Sequence, residues 1–275
     1  MSLLFDPVNP NIIIFDRLDS TSNEANRIID SGYGEHGLTI WAKRQEAGHG
    51  RYGRKWLAEE GNLTFSVLIK NDQKVENLAI YPFLTALAIR DAIMEFNDLA
   101  AIKFKWPNDI LLNGKKIAGI LYESRISGSK VNFLICGIGL NISSFPSGIA
   151  QVTSLNAENI QNIEAGQIIF KILQHMDKYL KLSAEPSQEQ QIYEEWLKHA
   201  YRLGEELTVI SASKQIKGQF ETIENGNLIL RSKEKRHIIA TGDVFFAEDS
   251  RVITTMSNVE LGNVTFLNIN KNKKN

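Results

Sequence analysis

The segment of residues 45–56 reads QEAGHGRYGRKW and combines closely spaced glycines with basic side chains. Glycines let backbone N–H groups approach an anion, so this glycine-rich loop is a candidate phosphate-binding segment. Gly48, Gly50 and Gly53 match the dinucleotide-binding fingerprint, which requires a helix to begin at the third glycine. A polar turn and the β-rich run LTFSVLI at residues 63–69 follow instead. The loop is therefore predicted to connect two strands, which excludes the dinucleotide-binding interpretation.

Protein kinases also place a glycine-rich loop between strands, but the sequence excludes that class as well. The chain contains neither an HRD nor a DFG triplet, which supply a kinase's catalytic base and magnesium ligand. Several charged and amide side chains in and after the loop indicate another phosphate chemistry. In chain order they are Arg51, Arg54, Asn108, Asp109, Lys115 and Lys116.

These residue types suit adenylation, in which a carboxylate attacks an α-phosphate. Cations stabilise the charge that develops in this step, and an aspartate such as Asp109 can bind magnesium or orient a lysine. The motif GIGLN at residues 137–141 adds glycines that permit close approach of a backbone. Catalysis would then come mainly from positioning and electrostatics.

Hydrophobic patterns predict the elements that position these residues. The predicted strands are 12–15, 38–43, 63–69, 102–105, 110–112, 116–123 and 131–142, and the predicted helices run from the caps at 19–22 to 28–29, about 82–96, 164–182 and 187–201. Pro107 interrupts a strand, Asn113-Gly114 is a strong hairpin signal, and a turn is predicted at 127–129. The fold class is therefore α+β, with a mixed, largely antiparallel sheet flanked by helices.

The pattern changes near Gly204, which predicts a second unit. Short alternating strands around Asn225-Gly226 predict a small β-barrel of its own. The predicted division is a catalytic domain at 1–203, a barrel at 204–248 and a polar tail at 249–275.

Composition narrows the functional classes. The chain has 275 residues, of which 43% are hydrophobic, and its formal net charge of −1 argues against a protein built around nucleic-acid binding. It shows no apolar run long enough to span a bilayer and no secretory signal, so a cytoplasmic location is expected. Cys136 is the only cysteine, which excludes intramolecular disulfides and thiolate zinc sites and predicts a buried strand residue.

Five motifs together carry a family resemblance. DST at 19–21, AGHGRYGRKW at 47–56, KWPNDI at 105–110, KKIAGIL at 115–121 and GIGLN occur in an order and spacing that resemble the biotin protein ligases. The resemblance covers roughly residues 12–246 and implies a class II synthetase-like catalytic domain with a small C-terminal SH3-like β-barrel. Only about ten residues precede the first predicted strand, so it is the form without an N-terminal DNA-binding domain that the chain resembles. DNA binding is not expected.

The family resemblance implies a two-step reaction. Biotin and ATP, with Mg²⁺, would give biotinyl-5′-AMP and pyrophosphate, after which a lysine of a biotin carboxyl carrier domain would accept the biotinyl group and release AMP. The expected partner is such a carrier protein of a biotin-dependent carboxylase, without membrane binding. The sequence leaves open which carrier is modified and whether the protein forms a homodimer through its sheet.

The same resemblance implies roles for particular residues. Lys116, Arg51 and Asp109 would be catalytic, with Asp109 as partner of Lys116 and candidate Mg²⁺ ligand. The residues implied in biotin binding are Ser20, Thr21, Ser22, Gln45, His49, Gly50, Arg51, Lys116 and Gly119. Those implied in ATP binding are Arg51, Arg54, Trp56, Asn108, Lys116 and Asn141.

Two departures from the family pattern leave alternatives open. Where the family reads STN, this chain reads STSN, so either Ser22 or Asn23 fills the asparagine position. The usual GRGR is GHGR here, and His49 is charged only below an unperturbed pKa of about 6.5. A contact made by the backbone would make that change unimportant, whereas a contact made by the side chain would depend on pH.

Other interpretations compete with each assignment. Ser20 and Thr21 are also common helix-capping residues. At the level of function, the alternatives are a lipoate or octanoate ligase or transferase with the same catalytic-domain architecture, and a binder of biotinyl-AMP without transfer activity. The motif GxGRxGR together with KWPND weighs against the first, and retention of Lys116 and Asp109 weighs against the second.

Overall fold

The computed structural model describes residues 6, 10–70, 78–127, 130–149, 151–211, 214–233 and 235–246. The predicted tail at 249–275 lies outside these ranges, and so do Gly128 and Ser129 of the predicted turn. In the described ranges the predicted strands and helices are present, with bounds that differ by a few residues at most.

The elements alternate in the order that the sequence patterns indicate. The strands are β1 (Ile12–Phe15), β2 (Thr39–Ala42), β3 (Leu63–Lys70), β4 (Ile102–Lys105), β5 (Asp109–Leu112), β6 (Lys115–Ser127), β7 (Lys130–Leu140), β8 (Glu206–Ser211), β9 (Lys214–Glu224), β10 (Asn227–Ser232), β11 (Lys235–Ile239) and β12 (Asp243–Phe246). The α-helices are α1 (Thr21–Asp30), α2 (Tyr81–Met94), α3 (Ala165–Ser183) and α4 (Pro186–Lys198).

A seven-stranded sheet in the order β1-β2-β3-β7-β6-β5-β4 forms the larger layer. Only the β1–β2 pair is parallel, and the other neighbours are antiparallel, so the sheet is mixed as predicted. The β5–β6 hairpin turns at Asn113 and Gly114, which both have positive φ, 52° and 78°. A two-residue turn of this kind matches the twist of paired strands, and it sets Lys116 of β6 opposite Leu111 of β5, two positions from Asp109.

Helices cover both faces of this sheet. On one face, α1 packs through Ala25 onto Leu38, Ile40, Leu68 and Ile135. On the other face, α2 contacts β6 and lies under α3 and α4, and most of its residues are buried. The helix is covered on nearly all sides, and its buried residues include the polar Thr85 and Arg90.

The C-terminal strands pair as a five-stranded antiparallel sheet in the order β11-β10-β9-β8-β12. The predicted turn at Asn225 and Gly226 connects β9 to β10 and lies against Ala79, where a side chain at Gly226 would come within 2.5 Å of Ala79 Cβ. Trp106 Nε1 donates a hydrogen bond to the Gly226 carbonyl oxygen at 3.2 Å. This C-terminal sheet is thereby fixed beside the turn that follows β4.

Buried apolar residues of the two sheets belong to one continuous cluster, which includes Phe104 of β4 and Phe246 of β12. The division at 203/204 remains a prediction. Within the described ranges, no helix combines the length and the apolar composition that crossing a bilayer would require.

Candidate active site

All the predicted site residues line a single cavity of about 370 Å³ between the N-terminus of α1, the glycine-rich loop and strands β6 and β7. They are Ser20, Thr21, Ser22, Gln45, His49, Gly50, Arg51, Arg54, Trp56, Asn108, Asp109, Lys116, Gly119 and Asn141. The volume is that of an ordinary small-molecule site. The fold therefore brings together residues that lie as far as 121 positions apart in the chain, from Ser20 to Asn141.

An ion pair between β5 and β6 places an ammonium group at the cavity. Lys116 Nζ lies 2.6 Å from Asp109 Oδ1, and the two side chains are 29% and 25% exposed. The backbone of Lys116 is held on both sides, since its N–H donates to Gln151 O at 2.8 Å and its carbonyl accepts from Thr153 N at 2.9 Å. A carboxylate and a fixed main chain thus orient the ammonium before any ligand arrives.

The indole of Trp56 lies on a strip of sheet that has no side chains. Gly119 of β6 and Gly139 of β7 are paired in register. A Cβ at Gly139 would lie 2.2 Å from the indole, and one at Gly119 would lie 3.3 Å from it. Lys116 Nζ lies 5.6 Å from a ring centroid of Trp56. The glycines of GIGLN do permit a close approach, as the sequence indicates, and the group that approaches is this indole.

Three hydroxyl groups form a buried cluster at a second part of the cavity, beside Gly137 of β7. Ser66 Oγ donates to Thr21 Oγ1 at 2.8 Å and lies 3.2 Å from Ser22 Oγ. Gly137 makes room for them, because a Cβ there would lie 3.1 Å from Ser22 Oγ. Ser66 was not predicted from the sequence, although Thr64 and Ser66 are the two hydroxyl residues in the otherwise apolar run LTFSVLI and were the available signal.

Gln45 connects the glycine-rich loop to the start of α1. Its Oε1 accepts a hydrogen bond from the backbone N–H of Thr21 at 2.7 Å, a donor that the helix itself leaves unsatisfied. Ser20 occupies the N-cap position, but its side chain makes no capping hydrogen bond. The interpretation of Ser20 as a helix-capping side chain is therefore wrong, and its buried side chain lines the cavity instead.

Asn23 and Ser22 lie in different surroundings, and which of them fills the family's asparagine position remains a prediction. Asn23 Nδ2 donates to Asp19 Oδ2 at 2.8 Å, so its amide is held away from the cavity, whereas Ser22 lines the wall. Hydrogen bonds from Arg27 lower the pKa of Asp19 well below its usual range, and the bond from Asn23 acts in the same direction. Of the two, Ser22 is therefore the residue at the cavity wall.

The guanidinium groups of the glycine-rich loop turn toward the C-terminal sheet. Arg51 Nη1 donates to Gly242 O at 3.1 Å, and its Nη2 donates to Thr241 Oγ1 at 2.8 Å. Arg54 Nη2 donates to Asp243 Oδ1 at 2.9 Å. Asp243 and the two residues after it also line the cavity. This C-terminal wall of the cavity, residues 243–245, could not be predicted from the sequence, because no local pattern links residues nearly two hundred positions apart.

The side chain of His49 points to Glu123 on β6. Its Nε2 lies 3.8 Å from Glu123 Oε1. Among the described residues, Glu123 Oε2 has no hydrogen-bond partner although it is buried. The imidazole therefore faces a carboxylate at the rim of the cavity.

Two asparagines hold the walls of the cavity through the main chain. Asn141 Nδ2 donates to Thr153 O at 3.0 Å, and Asn108 Nδ2 donates to Ile120 O at 2.9 Å. Each of these bonds uses the amide nitrogen of the side chain, so the amide oxygen can accept a hydrogen bond from another group. The arrangement offers hydroxyl and amide groups beside Gly137 (the hydroxyl end), an indole beside Gly119 and Gly139 (the indole end), and an oriented lysine near that indole.

Comparisons with known proteins point to one family. The profile of the biotin/lipoate A/B protein ligase family matches residues 14–141. A biotin–[acetyl-CoA-carboxylase] ligase of Paracoccus denitrificans is 33% identical over 243 residues, which cover 84% of this chain and 98% of that protein. The bifunctional ligase/repressor BirA of Bacillus subtilis is 34% identical over 176 residues, and the match spans about half of its length, 53%. The structure of an Aquifex aeolicus biotin protein ligase in complex with biotin and ATP is similar, with a TM-score of 0.73, 28% identity and coverage of 86% of this chain and 97% of that one.

Proposed function

The chain belongs to the biotin protein ligase family, and from this premise we propose that it activates biotin with ATP as biotinyl-5′-AMP and transfers the biotinyl group to a lysine of a biotin carboxyl carrier domain. It is an ATP-dependent ligase that forms a C–N bond and converts ATP to AMP and pyrophosphate. The observation that carries the residue assignment is the Lys116–Asp109 pair, which places one oriented ammonium inside the cavity.

Lys116 acts in the first step. A biotin carboxylate oxygen attacks the α-phosphorus, a new O–P bond forms, and the bond from that phosphorus to the bridging oxygen breaks as pyrophosphate leaves. Negative charge accumulates on the phosphoryl oxygens, and an ammonium already held beside them stabilises it without reorganisation. Asp109 fixes the ammonium through its 2.6 Å contact.

The hydroxyl end of the cavity receives the ureido ring of biotin. Thr21 and Ser22 present buried hydroxyl groups there, and Gln45 presents an amide. Ser66 lies within hydrogen-bonding distance of both hydroxyl groups and orients them. A site built from such groups rejects a ligand that lacks matching polar atoms, because its own buried groups would be left unpaired. This end therefore favours biotin over a purely aliphatic acid.

The indole end receives the nucleotide. Trp56 offers a flat surface to adenine, and Asn141, the residue after β7, borders it. Arg51 and Arg54 lie on the loop at the same cavity, where the phosphates would meet them. His49 and Gly50 close the loop over biotin, while Gly119 offers its backbone and Asn108 its amide oxygen.

Magnesium would arrive with ATP. Among the described residues, no group of three or more histidine, cysteine, aspartate or glutamate side chains could hold a metal ion by itself. Magnesium in such enzymes is commonly held by one or two carboxylates together with substrate phosphates, and Asp109 is the carboxylate that we assign to it. The ion would neutralise phosphate charge, and the protein would supply the positioning.

The second step consumes the mixed anhydride. The carrier lysine, as a free amine, attacks the biotinyl carbonyl carbon; the C–N bond forms, the bond from that carbon to the phosphate oxygen breaks, and AMP leaves. The carrier domain must therefore reach the carboxylate end of bound biotin, next to Lys116.

Exchange of radiolabelled pyrophosphate into ATP tests the proposed function. We expect exchange with biotin and none with lipoate when the two acids are compared at equal concentration, and we expect transfer to a biotin carboxyl carrier domain but not to a lipoyl domain. Exchange with lipoate alone would assign the chain to the lipoate branch. Exchange without transfer to any carrier would make it a binder of the adenylate.

A further inference from the structure

The glycine-rich loop forms hydrogen bonds with residues 241–243, which comprise the end of the β11–β12 connection and the first residue of β12. These three residues are called the 241–243 turn below. Besides the bonds of Arg51 and Arg54 described above, the hydroxyl group of Tyr52 lies 3.1 Å from Thr241 Oγ1. Arg51 Nη1 also lies 3.8 Å from Asp243 Oδ1. The two guanidinium groups flank the ring of Tyr52, with centroid distances of 4.9 Å and 5.6 Å. The contact therefore includes charged, neutral and aromatic components.

The 241–243 turn is itself firmly supported. Gly242 packs so closely on β8 that a Cβ there would lie 2.5 Å from Val209 Cγ1. Asp243 is the first residue of β12 and pairs with Ile210. At the other side of the C-terminal sheet, the Gly226 carbonyl accepts the hydrogen bond from Trp106. The turn is thus a rigid anchor, whereas a loop rich in glycine has a high conformational entropy to lose.

We propose that Thr241 and Asp243 are positioning residues that hold the glycine-rich loop closed over the cavity and thereby slow the escape of the adenylate. This inference rests on the proposed function. The loop arginines keep the donors that the turn does not use, so they can bind phosphate while they remain anchored. Because the anchor orders the loop in advance, less of the binding free energy is spent on ordering it.

Electrostatics alone predict the opposite effect on adenylate release when the charge of Asp243 is removed. Asp243 places a negative charge at the cavity, and its removal should by itself strengthen the binding of an anion. If anchoring dominates, the neutral variant Asp243→Asn must instead release biotinyl-AMP faster. The sign of the change therefore separates the two effects.

The experiment measures release of biotinyl-AMP from the preformed complex by a chase with excess unlabelled adenylate. We expect release to be roughly three- to tenfold faster in Asp243→Asn and in Thr241→Val, as for the loss of one ionic or neutral hydrogen bond. Single-turnover formation of the adenylate should change less than release does. Glu206→Gln is the matched control, because this exposed residue lies at the far end of β8 and pairs only with Lys217 among its ionic contacts in the described ranges.

A double-variant cycle tests whether the anchor acts through the arginine. The double variant of Arg54→Gln and Asp243→Asn should release the adenylate more slowly than the two single changes would predict if they acted independently, since both remove the Arg54–Asp243 hydrogen bond and only Asp243→Asn also removes the 3.8 Å contact with Arg51. Asp243→Glu should restore part of the retention. Release from Asp243→Asn and Thr241→Val at the wild-type rate, or more slowly, would overturn the inference, provided that wild-type enzyme forms biotinyl-AMP. Failure of the wild type to form it would instead contradict the proposed function.

Discussion

Two adjacent lysines at the start of β6 have different surroundings. Lys116 turns into the cavity toward Asp109, whereas Lys115 lies 3.2 Å from Glu158 and is 51% exposed. Successive side chains of a strand point to opposite faces, so one position decides which lysine faces the cavity. The two lysines therefore provide a test and a control of the same chemical type.

Lys116→Ala should slow formation of biotinyl-AMP on the order of a hundredfold, by comparison with the loss of one preorganised oxyanion donor. Lys115→Ala should form the adenylate at nearly the wild-type rate. Single-turnover quench experiments with saturating biotin and ATP measure both. Near-normal adenylation in Lys116→Ala would remove this residue from the mechanism.

His49 stands where the family pattern has arginine, and its side chain faces Glu123 rather than the nucleotide end. We therefore expect the loop to bind the ligand there through backbone N–H groups. His49→Ala should bind biotinyl-AMP with nearly wild-type affinity between about pH 5 and 8, the range in which an imidazole changes its charge. Calorimetric titrations at several pH values compare the two proteins. A loss of affinity in the variant that is large at low pH and vanishes at high pH would show a side-chain contact with phosphate.

The residues of the cavity could be predicted to different degrees from the sequence. Lys116 and Gly119 were accessible because they lie in a contiguous motif of distinctive composition. Ser66 was not singled out, since its role depends on the packing of α1 against β3. Asp243 was inaccessible for a stronger reason, because its place in the cavity depends on how the C-terminal sheet docks, and the local sequence around it carries no sign of that.

At the scale of elements, Arg90 joins the three helices on one face of the large sheet. Its side chain is 8% exposed and binds Asp91 Oδ1 at 2.6 Å and Glu195 Oε1 at 2.8 Å. Tyr179 of α3 donates to Asp91 Oδ2 at 2.8 Å. Hydrophobic periodicity predicted α2 correctly, and on periodicity alone Asp91 would fall on the side of the helix opposite its apolar residues. The residue is satisfied instead by this interhelical network, which no single-helix pattern reveals.

Glu195 gives this network a defined pH dependence. Hydrogen bonds from Lys198 and from Arg90 lower its pKa to about 2, from an ordinary value of 4.5. The carboxylate therefore stabilises the folded state above about pH 4.5, and this contribution is lost as the pH falls through that value toward 2.

Glu195→Gln should accordingly lower the free energy of unfolding by about 1 kcal/mol at neutral pH, and its stability should converge with that of the wild type in acid. Urea unfolding at a series of pH values measures the difference. Glu194→Gln is the control, because this neighbouring residue is exposed and, within the described part of the chain, its side chain accepts only a long hydrogen bond, 3.4 Å, from Gln190. A difference between Glu195→Gln and the wild type that stayed constant with pH would contradict the role of the charge.

At the scale of the whole molecule, the individual strands and helices could be predicted from the sequence, whereas the packing of the two sheets against each other could not. Hairpin signals such as Asn113-Gly114 specify a local connection, and the structure follows them. The contact of Trp106 with Gly226, by contrast, depends on the shapes of both sheets. The cavity is completed by this second kind of contact, which is why its C-terminal wall was missing from the sequence-based site.

Cys136, the only cysteine of the chain, reports on the stability of the whole sheet. It is fully buried on β7 opposite Tyr122 of β6, and burial raises the pKa of its thiol to about 12 from an ordinary value of 9.0. The neutral thiol is thus favoured in the folded state. As the pH rises above about 9, the thiol of the unfolded chain loses its proton while that of the folded chain keeps it, so the stability decreases until about pH 12.

Two measurements follow from this position of the thiol. A thiol reagent near neutral pH should label the native protein only at the rate of global unfolding, and should label it at once in denaturant. The thiolate is the reactive form, and α2, whose Thr85 lies 4.0 Å from the thiol, must leave the sheet to expose it. The free energy of unfolding of the wild type should also fall relative to that of Cys136→Ala as the pH rises above about 9. Rapid labelling of the folded protein would mean that α2 opens locally from the sheet, and the thiol would then not report on the stability of the whole molecule.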